Sequence, residues 1–153
     1  MPSYILLALH VLAAVIWIGG MFFAHVVLRP TAAAQLEPPV RLKLWVGVFN
    51  RFFPFVWIAV LLLPITGYIM VFSFYQGFEH APTYIHIMNG LGILMILIYL
   101  HIFFAPYKRL KLAVTSENWP EGGKKINQIR MMVGINLVIG LIVVAVAAAG
   151  RYL

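Results

Sequence analysis

Four long apolar segments constrain the fold of this chain more than any other feature of its sequence. They cover about residues 4–28, 52–75, 84–106 and 131–150, and each reaches the roughly 20 residues that a helix needs to cross a bilayer. Of the 153 residues, 63% are hydrophobic and 10% are charged, whereas soluble domains contain about 25% charged residues. We therefore predict an all-α integral membrane protein, a single domain over residues 1–153 forming an up-down-up-down four-helix bundle.

The distribution of basic residues predicts the orientation of this bundle. Ten of the eleven Lys and Arg residues lie in the first and third connections, and Arg151 alone lies at the other side. Because positive charge concentrates in cytoplasmic loops, both connections are predicted to face the cytoplasm and both termini to face outward, in a bacterial-type inner (plasma) membrane. Topology thus explains the net charge of +7, so we expect contact with membrane lipid and no nucleic-acid partner.

The connections and the intramembrane polar groups give further expectations. Residues 40–48 alternate apolar and basic side chains and predict a short helix lying in the membrane interface. The third connection is expected to extend the third helix by a turn or two and to break at residues 118–123. Asn89 and Asn136 predict hydrogen bonds between helices, and Trp17 predicts packing or an interface anchor.

Four histidines form the most unusual pattern in the sequence. His10 and His25 are fifteen residues apart in the first apolar segment, and His86 and His101 have the same separation in the third. In a helix, fifteen residues rise about 22 Å and return to within about 60° of the starting direction. Because the first and third helices run in the same direction, we predict two facing pairs, His10 with His86 and His25 with His101, as metal ligands at two depths.

Two facing imidazoles at one depth suit a haem iron, and helix bundles commonly hold such cofactors in their interior. We expect two haem b groups, with a single haem as an alternative. Ala14 and Gly90, each four residues after a ligand histidine, would leave room for a porphyrin. Arg29 and Arg51 would pair with its propionates at the inner surface.

Each ligand histidine would need a partner for its second ring nitrogen. Thr66 and Asn89 are candidates for this support. A single intramembrane histidine is also often a hydrogen-bonded structural group, so the structural interpretation stays open for each one. His80, beside Glu79 in the second connection, is expected to be solvated, with proton exchange or metal capture as the alternative.

The stretch LHVLAAVIWIGGMFFAHVVLRP, residues 9–30, resembles the membrane domain of copper resistance protein D and the related bacterial membrane protoporphyrinogen oxidase. The matching positions are His10, Trp17, Gly19, Gly20, Phe22, Arg29 and Pro30. The likeness to the copper-resistance domain extends loosely over all four helices. This resemblance implies copper handling or haem-dependent redox chemistry, with His10 as a functional position. The histidine layout is also similar to that of the b-type cytochromes of respiratory quinol oxidoreductases.

The sequence thus favours a di-haem b-type cytochrome that transfers electrons across the membrane, linked to a quinone or a redox partner protein. One alternative is a copper-transport or copper-resistance protein without haem, using histidine and methionine ligands from among methionines 21, 70, 88, 95, 131 and 132. Another is an enzyme resembling the protoporphyrinogen oxidase. The chain has no cysteine and no recognisable catalytic triad, so any catalysis would be redox chemistry and no catalytic residue is assigned. The small residues of 134–150 predict contact with partner helices, including a second copy of the chain.

Overall fold

A computed structural model of the chain describes residues 2–152, and these residues form helices joined by short connections. Four helical segments are long and apolar enough to cross a membrane. We refer to them as the first to fourth spans: Ser3–Gln35, Pro38–Tyr75, Thr83–Thr115 and Trp119–Tyr152. The predicted all-α bundle of four membrane-crossing helices is therefore confirmed for the described residues.

The spans divide into shorter elements where the backbone changes geometry. The first contains α1 (Ser3–Phe22), a π-helical turn (Phe23–Leu28) and α2 (Arg29–Gln35), and the second is the single helix α3 (Pro38–Tyr75). A 3₁₀ turn (Phe78–His80) leads to the third span, made of α4 (Thr83–Phe104) and α5 (Pro106–Thr115). The fourth contains α6 (Trp119–Ala149) and a 3₁₀ turn (Gly150–Tyr152).

The first span packs mainly on the second, and the third mainly on the fourth. Between these two pairs, the ring of Trp17 meets that of Tyr99 edge to face, with the ring centroids 6.3 Å apart. Both side chains are only 2% exposed. Large apolar side chains such as Leu12, Phe72 and Val138 lie on the outside, each more than half exposed. Such an extensive apolar exterior needs a lipid solvent, and the chain is a multi-pass membrane protein.

The predicted hydrogen bonds between helices are confirmed for both asparagines. The hydroxyl of Tyr68 in the second span donates to Oδ1 of Asn89 in the third, at 2.9 Å. In the fourth span, Nδ2 of Asn136 donates to the carbonyl oxygen of Met95, at 3.3 Å. These hydrogen bonds join the third span to the second and to the fourth. Of the two roles expected for Trp17, the structure shows packing in the interior.

The helices extend well beyond the apolar segments at one end of the bundle. The 38 residues of α3 span about 57 Å, whereas the hydrocarbon core of a bilayer is about 30 Å thick. We call this end, which contains residues 29–51 and 106–130, the basic end. The extensions form a tight core there, in which Leu42 and Trp45 pack with the fully buried Leu110 and Ile129.

One expectation about the connections is wrong, and a second is confirmed in part. Residues 40–48 belong to the continuous helix α3 and do not form a separate short helix, because Leu42 and Trp45 are buried in the core that α3 forms with α5 and α6. The third span is extended as expected, by the ten residues of α5, but the break is shorter than expected and lies at residues 116–118, where Glu117 has a φ of +56°. Gly122 lies inside α6 and is not part of the break, because Leu42 packs against it: a Cβ there would lie 2.9 Å from Cδ1 of that leucine.

Candidate functional site

The four predicted ligand histidines lie at two matched depths. Side chains of Ile18 in the first span and Met95 in the third both reach Gly140, where a Cβ atom would lie 3.0 and 3.2 Å from them. These two residues therefore lie at one level. Counting eight residues back along each helix gives positions 10 and 87, and counting seven forward gives 25 and 102. Since each residue rises 1.5 Å, the predicted pairing by depth agrees with the packing to within about one turn.

The direction of the side chains differs between the two spans. His86 precedes the buried Met95 by nine residues and His101 follows it by six, so they point about 180° and 120° away from it around the helix. Both histidines are exposed. The ring of His86 lies 5.8 Å from that of Phe78, between centroids. The structure therefore places the histidines of the third span on its outer side, and the di-haem arrangement, which needs these rings to face inward, stays a prediction.

The two small residues predicted to make room for a porphyrin are also separated. Ala14 is half-buried and packs against the bundle core. Gly90 is exposed, and a Cβ added to it would meet nothing within 4 Å. At mid-membrane the space between the first and third spans is filled by Trp17 and Tyr99. These residues do not form a porphyrin cradle between the two spans in this conformation.

His10 is the histidine most firmly positioned by its surroundings. Its Nδ1 lies 2.8 Å from the hydroxyl oxygen of Thr66 in the second span, which confirms the expected contact with this threonine. Gly67 makes the close approach possible, because a Cβ at that position would lie 3.2 Å from Cε1 of the histidine. The imidazole is therefore seated against one turn of α3 and cannot swing freely.

The hydrogen bonds around Thr66 favour one tautomer of His10. The threonine hydroxyl has one proton, and it donates this proton to the carbonyl oxygen of Leu62 at 2.7 Å. When the proton is used in this way, the hydroxyl oxygen accepts from Nδ1–H of the histidine. In the neutral ring, Nε2 consequently keeps its lone pair, which is the state of a histidine ready to bind a metal while its other nitrogen is fixed by a hydrogen bond.

A thioether lies one helical turn from this contact. Met70 follows Thr66 by four residues in α3, so the two side chains lie on the same face of the helix. Both are buried. Together, His10 and Met70 offer one imidazole nitrogen and one sulfur in the half of the bundle that contains the chain termini, and soft ligands of this kind suit Cu(I).

At the opposite end of the first span, His25 lies in the π-helical turn Phe23–Leu28. Its ring packs against Gly134, where a Cβ would lie 3.0 Å from Cε1 and 3.1 Å from Nε2. Single π-helical turns are rare and often occur at functional sites. His25 opens into a cavity of about 330 Å³, which we call the basic cavity.

The basic cavity contains one of the two arginines predicted to bind a cofactor. Arg29 lines it, and its Nε donates to the carbonyl oxygen of His25 at 3.0 Å. Arg51 does not line it, and its guanidinium lies 3.5 Å from the carbonyl oxygen of Gly47 in its own helix. His80, by contrast, is exposed, in agreement with the expectation that it is solvated.

Sequence reasoning missed several residues that line the basic cavity: Arg41, Trp45, Trp119, Asn127 and Arg130. Arg41 and Trp45 are four residues apart, so a continuous helix through this region would have placed them on one face. Arg130 was visible as the last basic residue before the fourth apolar segment. The interpretation of residues 40–48 as an interfacial helix concealed this connection.

Over residues 2–152, no group of three or more His, Cys, Asp or Glu side chains is arranged to hold a metal ion. The site offered by the first span is thus a single oriented imidazole near one end and a histidine beside arginines near the other. An imidazole nitrogen is a group that soft cations accept as a ligand, and arginine side chains are groups that recognise anions.

The fold and these two positions define a small polytopic membrane protein with positioned histidines in its helical bundle. The family model of copper resistance protein D matches residues 46–149, which is more than half of the chain. The chain belongs to the copper resistance protein D family. The matched region begins after the motif of residues 9–30 and therefore supports the resemblance independently of it. No curated protein and no solved structure matches the chain significantly.

Proposed function

We propose that this chain is a copper-handling membrane protein that binds Cu(I) inside the bundle, with Nε2 of His10 and the thioether of Met70 as ligands. Membership of the copper resistance protein D family supports copper as the cargo. The observation on which the proposal depends most is the hydrogen bond between His10 and Thr66, because it fixes the ring with Nδ1, and not Nε2, toward the threonine.

The chemistry of the site favours the reduced ion. Cu(I) is soft and accepts imidazole and thioether ligands, and it needs fewer ligands than the hard cations that prefer carboxylates. His10 and Met70 are neutral, so they add no uncompensated charge to the apolar interior when no ion is bound. Thr66 acts as a positioning residue, since it holds the ring of His10 and does not contact the ion.

Copper binding can be measured on the detergent-purified protein by competition with a chromophoric Cu(I) chelator under reducing, anaerobic conditions. We expect one Cu(I) per chain, and we expect loss of this binding in His10→Ala. Met70→Leu should weaken it, because leucine keeps the volume and removes the sulfur. Met95→Leu is the matched control, since Met95 is also buried but lies at the level of Ile18, eight residues along α1 from His10, and this variant should bind Cu(I) as the unmodified chain does.

Thr66→Val tests the positioning role separately. Loss of a group that holds a ligand histidine typically lowers metal affinity about 10- to 100-fold, and Thr66→Ser should restore most of that loss. If His10→Ala and Met95→Leu bind Cu(I) equally well, copper is not held at this position and the proposal fails.

The same preparation tests the di-haem cytochrome as the second candidate, which the matched depths of the four histidines favour. A haem protein would show an absorbance band with a reducible α-peak, and acid-acetone would extract about two haems per chain. If this colour is present in the unmodified chain and disappears in His10→Ala, the protein is a cytochrome and the copper proposal is wrong.

A further inference from the structure

The basic cavity lies where the apolar and basic parts of the chain meet. Arg29 directly follows the first apolar segment, and Arg130 directly precedes the fourth. Arg41 joins them from α3, and together with His25 the three arginines line one cavity of about 330 Å³. In a bilayer, this level corresponds to the boundary between acyl chains and polar headgroups.

The positive charge in the cavity is not neutralised by the protein. No Asp or Glu is among the residues that line it. Over residues 2–152, the one ion pair within 4.0 Å joins Lys125 and Glu121, so none of the three cavity arginines has a carboxylate partner. Like charges gathered in a partly enclosed site repel each other, and a bound anion would remove that cost.

One of the arginines is already oriented. Nε of Arg29 donates to the carbonyl oxygen of His25 at 3.0 Å, which fixes the plane of the guanidinium. Its two terminal nitrogens stay available to donate in parallel. A planar guanidinium used in this way recognises the paired oxygens of a phosphate or carboxylate group. The wide π-helical turn at His25 supplies the carbonyl that holds it.

The other wall of the cavity is apolar. Trp45 and Phe49 from α3 and Val133 from α6 belong to this lining. Trp119, at the start of α6, contributes a second indole ring to the lining. A ligand that satisfies both walls has an oxyanion at one end and a hydrocarbon part at the other.

We propose that the basic cavity is a specific site for a phosphate group, supplied by the headgroup of an anionic phospholipid whose acyl chains lie along the apolar wall. Arg29, Arg41 and Arg130 donate to the phosphate oxygens, and Trp45 contacts the hydrocarbon next to the headgroup. The site is separate from the copper position at His10, near the other end of the first span, so this proposal does not depend on that one.

Lipid retention measured by native mass spectrometry tests the proposal. The unmodified chain is purified in detergent, mixed with equal amounts of phosphatidylglycerol and phosphatidylcholine, and analysed for bound lipid. We expect about one phosphatidylglycerol per chain to be retained preferentially. The variant Arg41→Gln/Arg130→Gln should lower this affinity about tenfold or more, the effect of losing charge-assisted hydrogen bonds.

The control variant, Arg109→Gln/Lys124→Gln, removes the same number of charges from the same end of the bundle. Neither residue lines the cavity, so this variant should retain phosphatidylglycerol as the unmodified chain does. Arg130→Gln alone should also lower the affinity for phosphatidylglycerol. Because the Arg130 side chain is exposed, this change leaves the buried core intact.

A parallel titration with inorganic phosphate separates the two sources of the anion. Displacement of phosphatidylglycerol only by a large excess of phosphate supports a lipid site, whereas displacement at comparable concentration supports the phosphate site with the free ion as its ligand. If both double variants lose the lipid equally, or if phosphatidylcholine is retained as well as phosphatidylglycerol, the cavity does not recognise phosphate and the proposal is overturned.

Discussion

The hydrogen bond between His10 and Thr66 makes a quantitative prediction about the stability of the bundle. It joins the first and second spans at 2.8 Å, and the side chain of Thr66 is 2% exposed, so water cannot replace a lost partner there. Hydrogen bonds between membrane helices contribute about 0.6 kcal/mol on average and up to about 1.7 kcal/mol. We expect this one near the upper end, at about 1–1.5 kcal/mol, because a buried donor is left unsatisfied when its acceptor is removed.

A double-mutant cycle of Thr66→Val and His10→Ala isolates this energy. Thr66→Val also removes the bond from the threonine hydroxyl to the carbonyl oxygen of Leu62, but that loss is common to both backgrounds and cancels in the cycle. The free energy of unfolding is measured by titrating micelles of the purified protein with a denaturing detergent and following tryptophan fluorescence. Thr66→Ser keeps the hydroxyl and should lower the free energy of unfolding much less than Thr66→Val does.

The predicted coupling is the difference between the two costs of Thr66→Val. With His10 present, this change should lower the free energy of unfolding by about 1 kcal/mol more than it does in His10→Ala. Equal costs in both backgrounds would mean that the two side chains do not interact. The assignment of the His10 tautomer would then lose its basis, and so would the orientation of Nε2 toward a metal.

Two further predictions concern packing, and the same unfolding measurement checks both. Gly20→Ala should lower the free energy of unfolding by about 1 kcal/mol, because the new methyl group would overlap the ring of Phe52. Its control is Gly19→Ala, whose new methyl group meets nothing within 4 Å, and which should leave the stability unchanged or raise it by up to about 1 kcal/mol. Equal effects of the two changes would contradict this packing. Tyr107→Phe removes the hydrogen bond that the buried Tyr107 hydroxyl donates to Oδ1 of Asn50 and should cost about 1 kcal/mol, whereas an unchanged stability would show that this bond contributes nothing.

The membrane-crossing helices could be predicted from the sequence because hydropathy directly measures what a lipid solvent selects. The lengths of the helices could not be predicted in the same way. Beyond the apolar segments, helical structure depends on packing between extensions, as between Leu42 and Gly122. A window of hydropathy contains no information about such a contact. The amphipathic pattern of residues 40–48 suited a lipid interface and a protein core equally well.

The candidate site shows the same division between local and tertiary information. Helical rise gave the depths of the histidines, because depth depends only on counting residues along parallel helices. Rotation about the helix axis depends on which face each span buries, and a continuously apolar helix has no polar face that would reveal it. The contact of His10 with Thr66 was foreseeable as a pairing of polar groups within lipid, whereas the outward direction of His86 and His101 was not.

The two proposed sites lie near opposite ends of one helix, and the layer between them is closed in this conformation. Trp17 meets Tyr99 in the interior, and Tyr99 in turn contacts Phe53, with ring centroids 5.4 Å apart. Rings packed at this density leave no path for an ion from His10 to the basic end. A protein that moves copper across the membrane must therefore shift this aromatic layer.

Replacing Trp17 with alanine should accelerate copper uptake into vesicles that contain the protein, provided that His10 still binds the ion. If the Trp17→Ala variant folds, keeps its Cu(I) affinity and transports no faster than the unmodified chain, copper does not pass through the interior, and His10 serves to hold the ion and not to pass it on.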